Sequence, residues 1–244
     1  MRALFKRIQK LSREKQSVKK YVLYALGEMV LIVLSLLLAM QLNQLNLNQQ
    51  AKKLRSSYYK MFIEDYKSDV QQLQFAQKSF QKELSIITAY GVRLNSNKAT
   101  RDTLIQISRY EFNPNIPPFV RYNSTTFETI KQTGHLGLID NQIIQQINLL
   151  QTLQNEQLIY QNITLESQAR LLENYLSNYP LYRGEINQGQ LYESLWENIN
   201  THQLLLDFNA LLTITRSAFN NALFYYEKIE KETQGLLNLI EKKV

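Results

Sequence analysis

Residues 19–50 read KKYVLYALGEMVLIVLSLLLAMQLNQLNLNQQ, and within them the run Tyr21–Leu42 is almost wholly apolar. As a helix, a run of about 22 residues extends about 33 Å, enough to cover the hydrocarbon core of a bilayer. The stretch therefore reads as a transmembrane helix. Everything before it, residues 1–20, is a short basic tail, and everything after it, residues 43–244, is one large polar region with helical periodicity.

Charge sets the expected orientation. The tail carries Arg2, Lys6, Arg7, Lys10, Arg13, Lys15, Lys19 and Lys20 against a single acid, Glu14, whereas the first residues after the span carry only Lys52, Lys53 and Arg55. Basic flanks stay in the cytoplasm, so the N-terminus is expected inside and the C-terminal region outside. A cleaved secretory signal is the rival, but it usually has a shorter apolar core and ends in small residues, and the exit Leu38-Ala39-Met40-Gln41-Leu42-Asn43 matches that pattern poorly, which favours an uncleaved signal anchor.

The tail accounts for the whole formal net charge of +7, and residues 21–244 are balanced. A nucleic-acid binder would place its positive excess on the folded region, so no nucleic-acid partner is expected. The tail is instead suited to anionic membrane lipid. With no cysteine, there is no thiolate nucleophile and no Cys-ligated metal. Glycine and proline are few, and the prolines fall at Pro114, Pro117 and Pro118, then alone at Pro180. Long helices with two interruptions follow.

Beyond the membrane, Leu54, Tyr58, Phe62, Tyr66, Val70, Leu73, Phe80, Leu84 and Ile87 recur at steps of mostly three and four, so the span is expected to continue as one long amphipathic helix. Thr100 and Asp102 can cap a short helix to Tyr110. Phe112-Asn113-Pro114-Asn115-Ile116-Pro117-Pro118-Phe119 is expected to be extended, because each proline disfavours helix in the residue before it. Ser124 or Thr125 with Glu128 suggests a capping box, Gly134 a left-handed helix end, and Asp140 or Asn141 the cap of a helix that stops at Pro180. Its apolar face is read as Ile143, Ile144, Ile147, Leu150, Leu158, Leu165, Ala169, Leu172 and Leu176. A turn broken by Gly184 and Gly189, a short helix Leu191–Trp196 and a last helix over about 202–242 complete the chain. The last helix has a coiled-coil-like seam of Leu204, Phe208, Leu211, Ala218, Ala222, Tyr225, Ile229, Leu236 and Ile240. The fold class is all-α: one transmembrane helix running into an antiparallel helical bundle.

Two stretches resemble a known family. Tyr21 to Val33 with Leu38 to Asn43, and Phe127 to Asn141, are similar to the opening and to the Leu-Lys-x-x-Gly-x-Leu-x-Leu-Ile-x-(Asp/Asn) signature of uncharacterised single-pass membrane proteins common in Bacteroidota. This chain has Ile130 at the first leucine of that signature and Leu45 where the family usually has tryptophan. The resemblance implies a Gram-negative inner membrane and a periplasmic helical domain of unknown function, without chemistry.

Glu28 is the residue that invites a function, since a carboxylate within a span is costly and marks a pairing or proton site. Gly27, Ser35 and Ala39 lie near it as a small-residue packing face, which favours packing in a homo-oligomer or against another inner-membrane protein over proton relay. The strap with Pro114, Pro117, Pro118 and Phe119 is rigid and aromatic, suited to partner or ligand contact or simply to packing across the bundle. His135 beside Gly134 is more simply a turn residue than a ligand. Only His135 and His202 are present, neither at metal-ligand spacing, and no phosphate loop or nucleophile elbow occurs, so neither cofactor nor enzymatic activity is expected. The leading expectation is a structural or accessory subunit of an envelope assembly. The alternatives are a periplasmic sensor or ligand-binding domain signalling through a partner, because the tail is too short for an output domain, and a proton-coupled subunit of an ion-driven complex using Glu28. A ligand pocket closed by the strap would favour the sensor; a filled core with an apolar outer seam would favour assembly.

Overall fold

The computed structural model describes residues 2–182 and 187–243, with side chains from Val22 onward except Tyr24. It is 84% helical, and no strand occurs among the described residues. The six α-helices are α1 (Arg2–Leu94), α2 (Arg101–Ile105), α3 (Thr125–Gln132), α4 (Asn141–Asn178), α5 (Gln190–Glu197) and α6 (Thr201–Glu241). A π-turn at Gln106–Glu111 continues α2, and a 3-10 turn at His135–Leu138 links α3 to α4.

The absence of proline before Pro114 is realised in α1, which is unbroken from within the basic tail to Leu94. Contacts divide the chain into two compact units, Met1–Ser56 and Ser57–Val244. The first holds the apolar part of α1, the one helix among the described residues long and apolar enough to cross a membrane. Its apolar side chains from Val22 to Leu47 are exposed, which is the surface that a hydrocarbon environment would cover.

In the second unit the core lies among α1, α4 and α6. Phe80 is its centre, fully buried, with ring centroids 5.2 Å from Phe219, 5.6 Å from Tyr226 and 5.3 Å from Phe119. The edge-on contacts to Phe219 and Tyr226 each add about 0.5–1.5 kcal/mol to the burial of the rings. Lys67 pairs with Glu241, Gln74 and Gln77 donate to Glu230, and Phe80 meets Tyr226 and Phe219. On α4, Tyr160 accepts from Asn221, Gln168 donates to Thr215, and Tyr175 packs on Phe208.

Local signals place the ends of these helices. Thr100 caps α2 through a reciprocal pair with Thr103, and Asp140 caps α4 by accepting from the Gln142 amide. Gly134 has φ 73°, the left-handed conformation that ends α3 without a Cβ penalty. The tyrosine before Pro180 ends α4. Gly184 lies outside the described residues. The capping box at the start of α3 does not form: Ser124 is the N-cap but makes no side-chain cap bond, and the Glu128 amide donates only to the Ser124 carbonyl.

Two seams differ from the periodicity. On α6 the seam positions Ala218 and Tyr225 are only half-buried, and the residues that follow them, Phe219 and Tyr226, are buried against Phe80 instead. On α4 the expected face holds through Leu150 and then fails. The buried positions beyond Leu153 are Gln154, Gln157, Gln168 and Tyr175, while Leu158 and Leu176 are exposed.

Candidate functional site

In the first unit, helical geometry puts Glu28, Ser35 and Ala39 within about 20° of one line along α1, with Gly27 about a quarter turn away. Glu28 is exposed and makes no hydrogen bond or ion pair among the described residues. The Ser35 hydroxyl donates to Leu31 O or Ile32 O, 2.9 Å each, so it is satisfied inside its own helix. A Cβ added at Gly27 would meet nothing within 4 Å. The face thus offers one carboxylate and a row of small side chains.

The strap, residues 112–124, is fastened along its length. Phe112 packs edge-on against Phe208 and Tyr175, Pro117 is buried, and Phe119 lies on Phe80, while Pro114 is half-buried and Pro118 exposed. The Val120 amide donates to the Tyr226 hydroxyl at 3.4 Å, and the Tyr122 hydroxyl donates to Gln157 Oε1 at 3.2 Å. Between Phe119, α4 and α6 lies a crevice of about 20 Å³, room for about one water, and on the α1 side of the strap Phe75, Ala76, Pro118 and Phe119 line a larger, open hollow of about 330 Å³. On the α4 and α6 side the strap therefore leaves almost no internal space, while the hollow on its α1 side opens to solvent. His135 sits at the other end of α3, its Nδ1 2.7 Å from the Tyr58 hydroxyl, in a partly buried contact that ties the corner to α1. Among the described residues no group of three or more His, Cys, Asp or Glu could share a metal ion.

The strap ends on a residue that periodicity did not single out. Asp69 of α1 is 0% exposed, and its carboxylate accepts the Asn123 backbone amide at 3.1 and 3.2 Å and the Asn123 side-chain amide at 2.6 Å. Burial pushes this carboxyl up to about 6, against the opposing pull of the Asn123 donors, with Asp65 adding to the rise. Burial first, then the neighbouring acids, also raises the Tyr66 hydroxyl. Burial pushes Tyr226 up to about 12.

A second buried charge lies in the π-turn. Arg109 is 3% exposed and donates from Nη1 and Nη2 to both Glu193 oxygens at 3.0 and 2.7 Å. Its guanidinium also stands 4.8 Å from the Tyr110 ring centre and 5.3 Å from that of Trp196. The π-turn widens the backbone, and its carbonyls find donors from elsewhere: Tyr175 bonds Ser108 O, Tyr182 N bonds Arg109 O and Tyr90 bonds Glu111 O. This cluster anchors α5.

The middle of α4 is inverted. Gln157, 2% exposed, bonds Tyr122 and Gln161, and Gln168 bonds Thr215, while Ile159 and Ile163 face outward at 63% and 62%. Leu149 and Tyr160 on the same helix, and Phe224 on α6 beside the Tyr160–Tyr225 contact, extend the exposed apolar surface.

Finally, Ile87 to Asn95 of α1 and the loop after it face Leu205 to Arg216 of α6 across a groove of about 630 Å³. Comparison with protein-family models, with curated proteins and with solved structures yields no match to this chain.

Proposed function

We propose that this protein is a non-enzymatic structural or accessory subunit of an inner-membrane assembly. A single N-in span anchors an antiparallel periplasmic helical bundle that meets other copies or another membrane protein. The observation that carries this reading is the apolar outer surface of α4, with Ile159 and Ile163 in solvent while glutamines occupy the positions beneath them. Apolar side chains left outside while amides are buried mark a surface meant to be covered. The small size of the crevice between the strap, α4 and α6 supports assembly over a sensor gated there. The charge asymmetry around Tyr21–Leu42 supports the orientation, and the falling numbers of the α6 partners met along α1 and α4 support the antiparallel bundle. The resemblance to the Bacteroidota membrane family supports the location. In the membrane, Glu28 with Ser35 and Ala39 serves helix packing.

The test is the assembly mass of the full-length protein extracted gently from its own membranes. A homo-oligomer, or a stoichiometric complex with a second membrane protein, is expected, and Ile159→Ser with Ile163→Ser should dissociate it. A monomer without companions would defeat the proposal.

A further inference from the structure

We propose that the groove between the end of α1 and the first half of α6 binds an amphiphile with one hydrocarbon chain and an anionic head. The chemistry is that of a long-chain fatty acid or a lysophosphatidate. The site is distinct from the outer surface of α4 and does not depend on assembly. Its volume, about 630 Å³, falls within the range of small-molecule sites. Ile87 and Leu212 form a buried apolar floor, and Val92 and Leu205 are partly to largely exposed on its walls.

Thr88 and Asn95 are the polar groups on the α1 side of the groove, and the one cation among its described lining residues stands on the α6 side. Asn209, Thr213 and Arg216 all line the groove and follow one another on α6 at steps of four and three, so they share a helix face. Arg216 is exposed and has no ion pair or hydrogen bond among the described residues, and the side chains of Asn209 and Thr213 are likewise without a protein partner. No acid lines the groove, so the cation is not neutralised from within it. A hydrocarbon tail on the floor with a carboxylate or phosphate on Arg216 satisfies both surfaces. The guanidinium suits either head because its fork matches both geometries.

Gly91 supports this use. It lies inside α1, where glycine weakens a helix relative to alanine. A Cβ there would meet nothing within 4 Å, so close packing does not demand glycine. What the missing side chain does is leave the groove wall open.

The experiment is photolabelling of the full-length protein, in nanodiscs of phosphatidylcholine, with a diazirine-bearing palmitate and mapping of the adducts by mass spectrometry. Adducts are expected on peptides containing residues 87–95 and 205–216. Excess palmitate or lysophosphatidate should compete, the stronger competitor identifying the head, whereas dodecyltrimethylammonium should not. Arg216→Gln should lower labelling about tenfold, the value of one charge-assisted contact. Gly91→Phe should abolish it with the Trp196 unfolding midpoint retained. Should that variant not fold, Val92→Asp, at an exposed wall position, provides the same loss. Labelling confined to the span, competition by neither anion, or full labelling in these variants would overturn the proposal.

Discussion

Asp69 offers the sharpest quantitative test. Its carboxyl titrates near 6 in the folded chain, against about 3.9 when unfolded. Because the folded value is the higher, the native state holds an extra proton between about pH 4 and 6. The protonated form's stabilisation is fully present below about pH 4, and stability then falls as pH rises through 6. A shift of about two units corresponds to at most about 3 kcal/mol, or about 6–12 °C in Tm for a unit of this size. Other carboxylates pull the opposite way at low pH: Glu111, held by Arg93, and Asp140, held by Lys243, both sit below their ordinary range and lose stabilising contacts on acidification. The difference between wild type and Asp69→Asn cancels these contributions.

Asp69→Asn keeps the shape and one acceptor but never charges. Thermal unfolding of the full-length protein in detergent, followed by Trp196, reads the difference; this is the single tryptophan and is 2% exposed. At pH 4 the variant should be equal to or slightly less stable than wild type, since one acceptor is lost. Its relative stability should then climb by up to about 3 kcal/mol between pH 4 and 7 and level off. The competing physics is specific. The Asn123 amides are all donors and prefer the ion. If they outweigh desolvation, Asp69→Asn will be destabilising at pH 7 and the gap will close on acidification. That inverted slope, or a flat one, would refute the assignment of burial as the dominant influence.

Two further outcomes test the anchoring contacts. Gly134→Ala, which forces an L side chain to φ 73°, should cost about 1 kcal/mol in the unfolding free energy, and Gly134→Asn should recover part of it. Arg109→Met should lower Tm less than Glu193→Ala, because the methionine leaves a half-exposed carboxylate that water can solvate, whereas removing Glu193 leaves a buried guanidinium without its ion partner.

The parts of the fold legible in the sequence are those decided within a few residues. The continuity of α1, the caps at Thr100 and Asp140, the αL corner at Gly134 and the stop before Pro180 each depend on one side chain and its local backbone. The extended strap was legible for the same reason, since proline dictates its neighbour's conformation. The contacts that fix the strap were not. Asp69 looks like any solvated acid at its place in the helix, and its partner Asn123 lies 54 residues later. Arg109 and Glu193 are 84 residues apart, and nothing local announces the pairing. Of the strap prolines Pro117 lies in the interior, Pro114 is half-buried and Pro118 is exposed, and His135 stands within hydrogen-bonding distance of Tyr58. The groove is likewise a product of two distant helix segments.

The α4 seam failed for a different reason, and the failure is informative. Periodicity assumes that apolar side chains define the buried face, yet from Gln154 to Gln168 the buried face is made of amides. Those amides are not idle: Gln157 joins Tyr122 of the strap to Gln161, and Gln168 grips Thr215 of α6. Bonds of this kind fix the register of α4 against its neighbours, but each contributes only about 1 kcal/mol net, less than a buried leucine in the same place. The middle of α4 is therefore held more weakly from inside than its ends, where Ile143, Ile147 and Tyr175 are buried. Its apolar contribution is turned outward through Ile159 and Ile163. A helix patterned this way gains its missing burial only when another surface covers it. If the assembly proposed above forms through this surface, association and the firmness of the helical unit are coupled through the same few side chains, and the assembled protein should show slower amide exchange in the middle of α4 than the Ile159→Ser, Ile163→Ser variant.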